Sequence, residues 1–355
     1  MMNRYSVVGL MSGTSMDGVD IALCVFEKSK AKWNFEIKNA ETIAYTAKQR
    51  RNLANVGQTS ASVFAAEHVA YGRFLGNLVH EFLQRKKAKA DFVSSHGHTV
   101  FHQPHKRFTT QIGDGAALSA ACGLPVVCDF RSADVALRGQ GAPLVPIGDK
   151  FLFNSYTSCL NLGGIANISF DHKGNRIAFD ICPVNIVMNS LALKLGRNYD
   201  KGGKIAQRGK IQAKLLKKLN AVPFYKRQFP KSLGREDIEK YFFSILDNDH
   251  SSPEDKLCTF CEHIAIQISD VANRIGNAGG SMLVTGGGAY NSFLIDRMKA
   301  HCKSAIVLPG KQIIEFKEAL IFAFLGTLRW RNEINCLHSV TGASRDSSGG
   351  AIYHP

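Results

Sequence analysis

The stretch Gly9-Leu10-Met11-Ser12-Gly13-Thr14-Ser15-Met16-Asp17-Gly18-Val19-Asp20 lies between two runs of strand-forming residues, Tyr5-Ser6-Val7-Val8 and residues 19–26 (VDIALCVF). A turn of Gly, Ser, Thr and Asp between two such runs predicts a hairpin and leaves no room for a helix. Gly9, Gly13 and Gly18 allow positive φ and close backbone approach, so several N–H groups can converge on one anion. Ser12, Thr14 and Ser15 add hydroxyl donors, and Asp17 and Asp20 could hold a metal-bound water beside a phosphate. No Gly-Lys-Ser/Thr follows and no helix starts here, so the turn is not a Walker loop. An ordinary glycine hairpin is the plainer reading of the same residues.

The second half of the chain repeats this logic. Residues 158–169 (SCLNLGGIANIS) again read strand, glycine turn, strand, and residues 176–180 (RIAFD) supply a third strand before a helix over 184–195. Two strand meanders, each opened by a glycine hairpin, predict an internally duplicated α/β chain. The expected division is 1–138 and 139–355, with the breaker-rich residues 139–146 as the crossover and the C-terminal tail returning to the first part. Between the meanders, Leu75, Leu78, Val79, Phe82 and Leu83 give a helix over about 62–87 one buried face. Leu257, Phe260, Cys261, Ile264, Ile268, Val271 and Ile275 do the same for 254–275. Residues 281–284 read as a strand leaving through Gly286, Gly287 and Gly288 into a helix near Asn291, and another helix is expected over 317–330. The polar residues 197–209 read as a mobile loop.

Residues 92–95 form a strand that delivers His96, His98 and His102. Strict alternation would put all three on one face, as a metal site requires. Gly97 and Thr99 equally suit a polar loop facing hydroxyl groups, and no permanent metal is expected. Asp180 closes strand 176–180, with Pro183 blocking simple continuation. Arg131 follows a short strand at 125–128, and its planar fork suits a carboxylate or hydroxyls, with a surface ion pair as the alternative. Glu318 opens the helix at 317–330, where the dipole alone would favour it.

With 355 residues, 45% hydrophobic and 21% charged, the chain has the composition of a soluble globular protein large enough for two cores. No signal peptide or membrane span is visible, and nine scattered cysteines predict reduced thiols in the cytoplasm. Cys258 and Cys261 form a C-x-x-C inside the helical stripe, with no second pair. The net charge of +15 raises nucleic acid as a partner. Its lysines fall on helix surfaces without an aromatic-plus-basic motif, however, so neither nucleic acid nor membrane is expected.

GLMSGTSMDGVD resembles the N-terminal signature of the anhydro-N-acetylmuramic acid kinases, sugar kinases of the actin/hexokinase/Hsp70 ATPase fold. SHGHTVFHQP (95–104, with His102), CDFRSADVALRGQGAPLVP (128–146), NLGGIANIS (161–169), PKSLGRE (230–236), TGGGAYN (285–291) and KEALIFAFLG (317–326) continue the resemblance in order. It implies a two-lobed α/β fold with mixed sheets and a central cleft, binding ATP with Mg²⁺. Gly13, Thr14, Ser15, Met16, Asp17, Gly18, Val19 and Asp20 would form one phosphate hairpin. Asn161, Gly163 and Gly164 would belong to the other, and Gly286, Gly287, Gly288 and Asn291 would line the adenosine slot. His96, Thr99, Arg131 and Glu318 would meet an anhydro-amino-sugar, and Asp180 would be the catalytic base. A homodimer in cell-wall recycling is expected. The chain departs from the family pattern at Cys182 and Val184, where glycines are usual, at Arg138, also a usual glycine, and at His98, a usual Gln. Those departures keep open a non-catalytic sensor on the same fold.

Overall fold

The structure, a computed structural model, describes residues 3–13, 16–30, 32–275 and 279–355. Thr14 and Ser15 lie outside the described residues. The chain forms two units, residues 1–152 with 316–355, and residues 153–315.

In the first unit, β1 (Arg4–Ser12), β2 (Gly18–Ser29) and β3 (Lys32–Ala44) make an antiparallel meander. β4 (Phe92–Gln103) lies parallel to β1, β5 (Phe108–Ile112) folds back on β4, and β6 (Val126–Cys128) lies parallel to β4. The chain's last strand, β12 (Ala351–Tyr353), closes that edge antiparallel to β6. Helix Ala61–Lys86 buries Leu75, Leu78, Val79 and Phe82 against Val8, Leu10, Val19 and Ile21 of the sheet, as its 3.6-residue spacing predicts. Leu83 is only partly buried at the margin of that core. The sheet's other face carries helix Lys311–Trp330. A Cβ on Gly9 would collide with the Ala319 carbonyl, so glycine is needed there for close packing and not for positive φ.

Residues 139–152 belong to this first unit, which moves the division expected at 138/139 to 152/153. The expected crossover 139–146 is tied down locally: Gly141 N–H donates to Asp134 Oδ2 (2.7 Å) and Gln140 N–H to the Thr341 carbonyl (2.9 Å). Helix Val145–Leu152 then packs Gly148 on Ile321, and its Asp149 pairs with Lys317 at 2.7 Å, both buried.

In the second unit, β7 (Ser158–Leu162), β8 (Ile165–His172) and β9 (Asn175–Pro183) form a second antiparallel meander. β10 (Ser281–Thr285) lies parallel to β7, and β11 (Ala305–Val307) parallel to β10. The order 11-10-7-8-9 repeats the core of the first sheet, 6-4-1-2-3. This is the internal duplication that the two glycine hairpins predicted. Helix Pro253–Ile275 fully buries Leu257, Phe260, Cys261, Ile264 and Ile268 in this unit's core, while Val271 and Ile275 pack at its edge.

Four local expectations are corrected. β4 runs on through the histidines to Gln103, and β9 runs past Asp180 to Pro183. Because β9 is an edge strand, the missing N–H of Pro183 costs no ladder bond. The helix expected from 317 starts at Lys311, which puts Glu318 about two turns inside and away from the favourable dipole end. Residues 197–209 are not a free loop: the buried Asp200 carboxylate receives the N–H groups of Ile205 (2.8 Å) and Ala206 (2.9 Å), which holds two 3₁₀ turns. All nine cysteines are free, and no described helix is long and apolar enough to cross a membrane.

Candidate active site

The first hairpin closes with Met16 N–H on the Gly13 carbonyl (3.2 Å), and Met16, at φ +55°, is left-handed. Gly18 sits so close to β3 that a Cβ would strike the Ile43 carbonyl. Val19 is fully buried in the core, so it reaches a ligand only through its backbone. Asp17 is exposed, with its carbonyl taken by Tyr45 N–H (3.2 Å). Asp20 accepts from Thr42 Oγ1 (2.6 Å). Sequence reasoning attached no role to Tyr45 or to its partners. The Tyr45 hydroxyl lies 2.7 Å from Ser12 Oγ and 2.5 Å from the Tyr71 hydroxyl, and Ser12 Oγ lies 2.9 Å from His98 Nδ1. Burial raises the pKa of both tyrosines and lowers that of His98, so all four groups stay neutral and each hydroxyl can donate once and accept once. His98 thus does what the family's usual Gln also could, pairing with a hydroxyl.

The three histidines do not converge. Gly97 takes φ +70° and β4 shifts register between Thr99 and Phe101, which breaks the alternation a shared face needs. His96 meets Arg131, His98 meets Ser12, and His102 Nδ1 meets Thr109 Oγ1 (3.1 Å). No group of three or more His, Cys, Asp or Glu side chains arranged for a metal occurs among the described residues. Thr99 accepts from Gln111 across the β4–β5 pair (3.3 Å).

Arg131 and Glu318 belong to this first unit. Desolvation raises the Glu318 pKa, Asp20 adds repulsion, and Lys317 and Arg131 pull it back. Glu318 is nevertheless exposed as a residue. Arg131 donates to the Gly141 carbonyl through Nη1 (2.6 Å), and its pKa falls to about 10 through burial, against the pull of Glu318.

In the second unit the turn is two residues long. The Gly164 carbonyl accepts from Val184 N–H (2.8 Å) and Ile186 N–H (3.3 Å), and the Gly163 carbonyl from Asn185 N–H (3.2 Å). Asn185 Nδ2 adds a bond to the Leu162 carbonyl (3.2 Å). Gly286 takes φ +83°, and a Cβ there would meet Asn161 Oδ1 at 2.5 Å. Gly288 packs bare against Leu162, while Gly287 is exposed backbone. Asn291 is the N-cap of helix Ser292–His301: its Oδ1 accepts Leu294 N–H (3.0 Å). Its side chain therefore shapes the exit from the glycine run instead of facing outward.

Asp180 sits beside a bulge, since Asn167 pairs with Asp180 but Ala166 with Cys182, leaving Ile181 extra. Its Oδ2 accepts from Leu233 N–H (3.0 Å) and Ser232 Oγ (3.2 Å), and its own N–H donates to the Lys231 carbonyl (3.0 Å). Oδ1 has no hydrogen-bond partner among the described residues. Desolvation raises the Asp180 pKa, and the two Oδ2 bonds offset part of that rise. The supporting residues 231–233 stand within PKSLGRE, the segment whose family match carried no assigned role. Cys182 and Val184 are fully buried and neither has positive φ, Val184 standing at −128°, so neither position requires glycine here. Arg138, by contrast, occupies a left-handed conformation at φ +70°.

The two units thus repeat one α/β topology, and each opens on a glycine-turn hairpin. Residues 5–355 match the family described as Anhydro-N-acetylmuramic acid kinase, and the chain belongs to that family. It is 35% identical over 378 residues to the anhydro-N-acetylmuramic acid kinase of Vibrio cholerae serotype O1, covering 100% of both chains. Against that of Coxiella burnetii (strain RSA 493 / Nine Mile phase I) it is 34% identical over 369 residues, 99% of this chain and 98% of the relative. Among solved structures, component A of the Acidaminococcus fermentans (R)-2-hydroxyglutaryl-CoA dehydratase is similar at TM-score 0.46 and 14% identity, covering 90% of this chain and 96% of that one.

Proposed function

We propose that the chain converts 1,6-anhydro-N-acetylmuramic acid, water and ATP into N-acetylmuramic acid 6-phosphate and ADP, with Asp180 as the general base. The observation that carries this reading is the asymmetry of the Asp180 carboxyl: Oδ2 is anchored by Leu233 and Ser232, while Oδ1 is unpartnered. An anchored carboxylate with a free oxygen and a raised pKa suits proton abstraction from water better than an ordinary aspartate. Water adds to C1 as the C1–O6 bond breaks, Asp180 takes one water proton, and the other stays on the new C1 hydroxyl. O6 leaves as an alkoxide equivalent and takes the phosphoryl group that ATP supplies, so no second acid is needed to protonate it.

Sugar recognition falls to Arg131 and Glu318, with Thr99 shaping β4. Nucleotide binding falls to the first hairpin, to Asn161, Gly163 and Gly164, and to the bare backbone of residues 286–288. The mutual repulsion of Asp20 and Glu318 favours a cation nearby, and Asp20 would hold Mg²⁺ through its waters. When bound, Mg²⁺ would neutralise phosphate charge. Assembly as a homodimer, a cytoplasmic location and a role in cell-wall recycling complete the proposal.

The test uses ¹⁸O-water with the anhydro-sugar and Mg·ATP. The label is expected at C1 of a sugar 6-phosphate and absent from ADP. Label in inorganic phosphate with unconverted sugar would instead mean simple ATP hydrolysis and sink the reading.

A further inference from the structure

We propose that His96 is a positioning residue that presents Arg131 to a carboxylate on the ligand, so that the first unit selects sugar acids over neutral sugars. This rests on the sugar-kinase reading for the class of ligand, and on the geometry around Arg131 for everything else. A guanidinium has five N–H donors. Nε and Nη2 both donate to His96 Nε2, at 3.0 and 2.9 Å, and Nη1 donates to the Gly141 carbonyl at 2.6 Å. The remaining N–H on Nη1 and the remaining N–H on Nη2 have no partner among the described residues.

None of the near acceptors carries a charge. Glu318 acts on Arg131 at a distance without forming an ion pair. Asp134 is engaged elsewhere, accepting from Gly141 N–H and Thr341 Oγ1, both at 2.7 Å, and from Cys336 Sγ at 3.1 Å. Arg131 is thus a crowded cation, still charged at neutral pH, that Glu318 and Asp134 stabilise from a distance but that no described carboxylate meets directly. Its two free donors sit on adjacent nitrogens of one plane, the arrangement that a carboxylate accepts in bidentate fashion.

The His96 ring cannot itself bind ligand by hydrogen bonds. Nδ1 donates to the Gly97 carbonyl (3.0 Å), Nε2 is occupied by Arg131, and the buried ring packs on Phe322 with centroids 4.6 Å apart. Burial and the adjacent Arg131 keep the ring neutral, the only state in which Nε2 accepts. The substrate contact expected of His96 is therefore indirect: it fixes the plane of the guanidinium.

Calorimetric titration with 1,6-anhydro-N-acetylmuramic acid and with 1,6-anhydro-N-acetylglucosamine, which lacks the carboxylate, tests this without needing turnover. The native chain should prefer the acid. His96→Ala should lose about 10–100-fold in affinity for the acid, the worth of a hydrogen bond to a charged group, with little change for the neutral sugar. His96→Gln, whose Oε1 can replace Nε2 as acceptor, should recover most of the loss and also serves where the alanine variant fails to fold. Arg131→Ala should abolish the preference, and adding His96→Ala to it should change nothing further. Equal losses for both sugars, additive losses in the double variant, or no preference in the native chain would each overturn the proposal. Selective acid binding without any product would leave it standing and remove the catalytic reading instead.

Discussion

The two hairpins occupy equivalent places in two sheets of the same strand order, yet they are held in different ways. The first has a long turn, and its ends are gripped by side chains from distant elements. Ser12 Oγ sits between Tyr45 and His98, while the Tyr45 N–H holds the Asp17 carbonyl. The second has a two-residue turn whose carbonyls receive the N–H groups that open helix Asn185–Leu193. A short turn leaves few backbone groups to satisfy, and nearby backbone suffices. A longer one exposes more of them and needs partners from elsewhere in the fold. The first hairpin is therefore more open to disruption by single side-chain changes, at Tyr45, in β4 or in helix Ala61–Lys86, than the second, where Asn185 Nδ2 on the Leu162 carbonyl is the one such bond described.

The largest effect expected in either half lies beside the second hairpin. Asp180→Asn removes the proposed base and should lower kcat by roughly 10²–10⁴-fold while ATP affinity changes little. Near-normal kcat in this variant would falsify the assignment. Its stability should move the other way. The folded pKa of Asp180 lies above its ordinary 3.8, so the native state binds more protons than the unfolded state between the two values. Stability conferred by protonated Asp180 is thus lost as pH rises through that window. Asn does not titrate, so the variant's urea midpoint should gain on the native one from acid to neutral pH.

Glycine substitutions compare the hairpins directly. Gly18→Ala drives a Cβ into the Ile43 carbonyl, which is backbone and cannot step aside, and should cost about 1–3 kcal/mol in chemical denaturation. Tyr45→Phe deletes the hydroxyl between Ser12 and Tyr71. It should cost about 1–2 kcal/mol and raise the KM for ATP more than the KM for sugar. Unchanged nucleotide kinetics would separate the hydroxyl chain from the first hairpin's role. Gly164→Ala is the smallest, since its Cβ meets only the exposed side chain of Ile186 at 2.9 Å. A change within about 0.5 kcal/mol is expected there. A loss as large as that of Gly18→Ala would erase the difference between the two hairpins.

The sequence alone determined the elements whose signal is local and periodic. Both meanders, helix Ala61–Lys86 and helix Pro253–Ile275 follow from alternation or 3.6-residue spacing, because the faces they bury are written in consecutive residues. The family motifs likewise named Asp180, Arg131 and Glu318 as candidates. What tertiary structure decided was where each polar group finds its partner, and those partners lie far apart in the chain. His96, expected at the sugar, gives its Nε2 to Arg131, 35 residues on. Asn291, expected at the nucleotide slot, also caps the helix after it, a bond that only the tertiary structure shows. Pro183 looked like a strand terminator, but only the sheet order shows β9 to be an edge that needs no N–H at that point. Residues 139–146 read as a crossover, yet Asp134 and Thr341 tie them into the first unit. Periodicity records which side of an element is apolar. It carries no record of which buried donor meets which acceptor, because that pairing is set by packing across the fold.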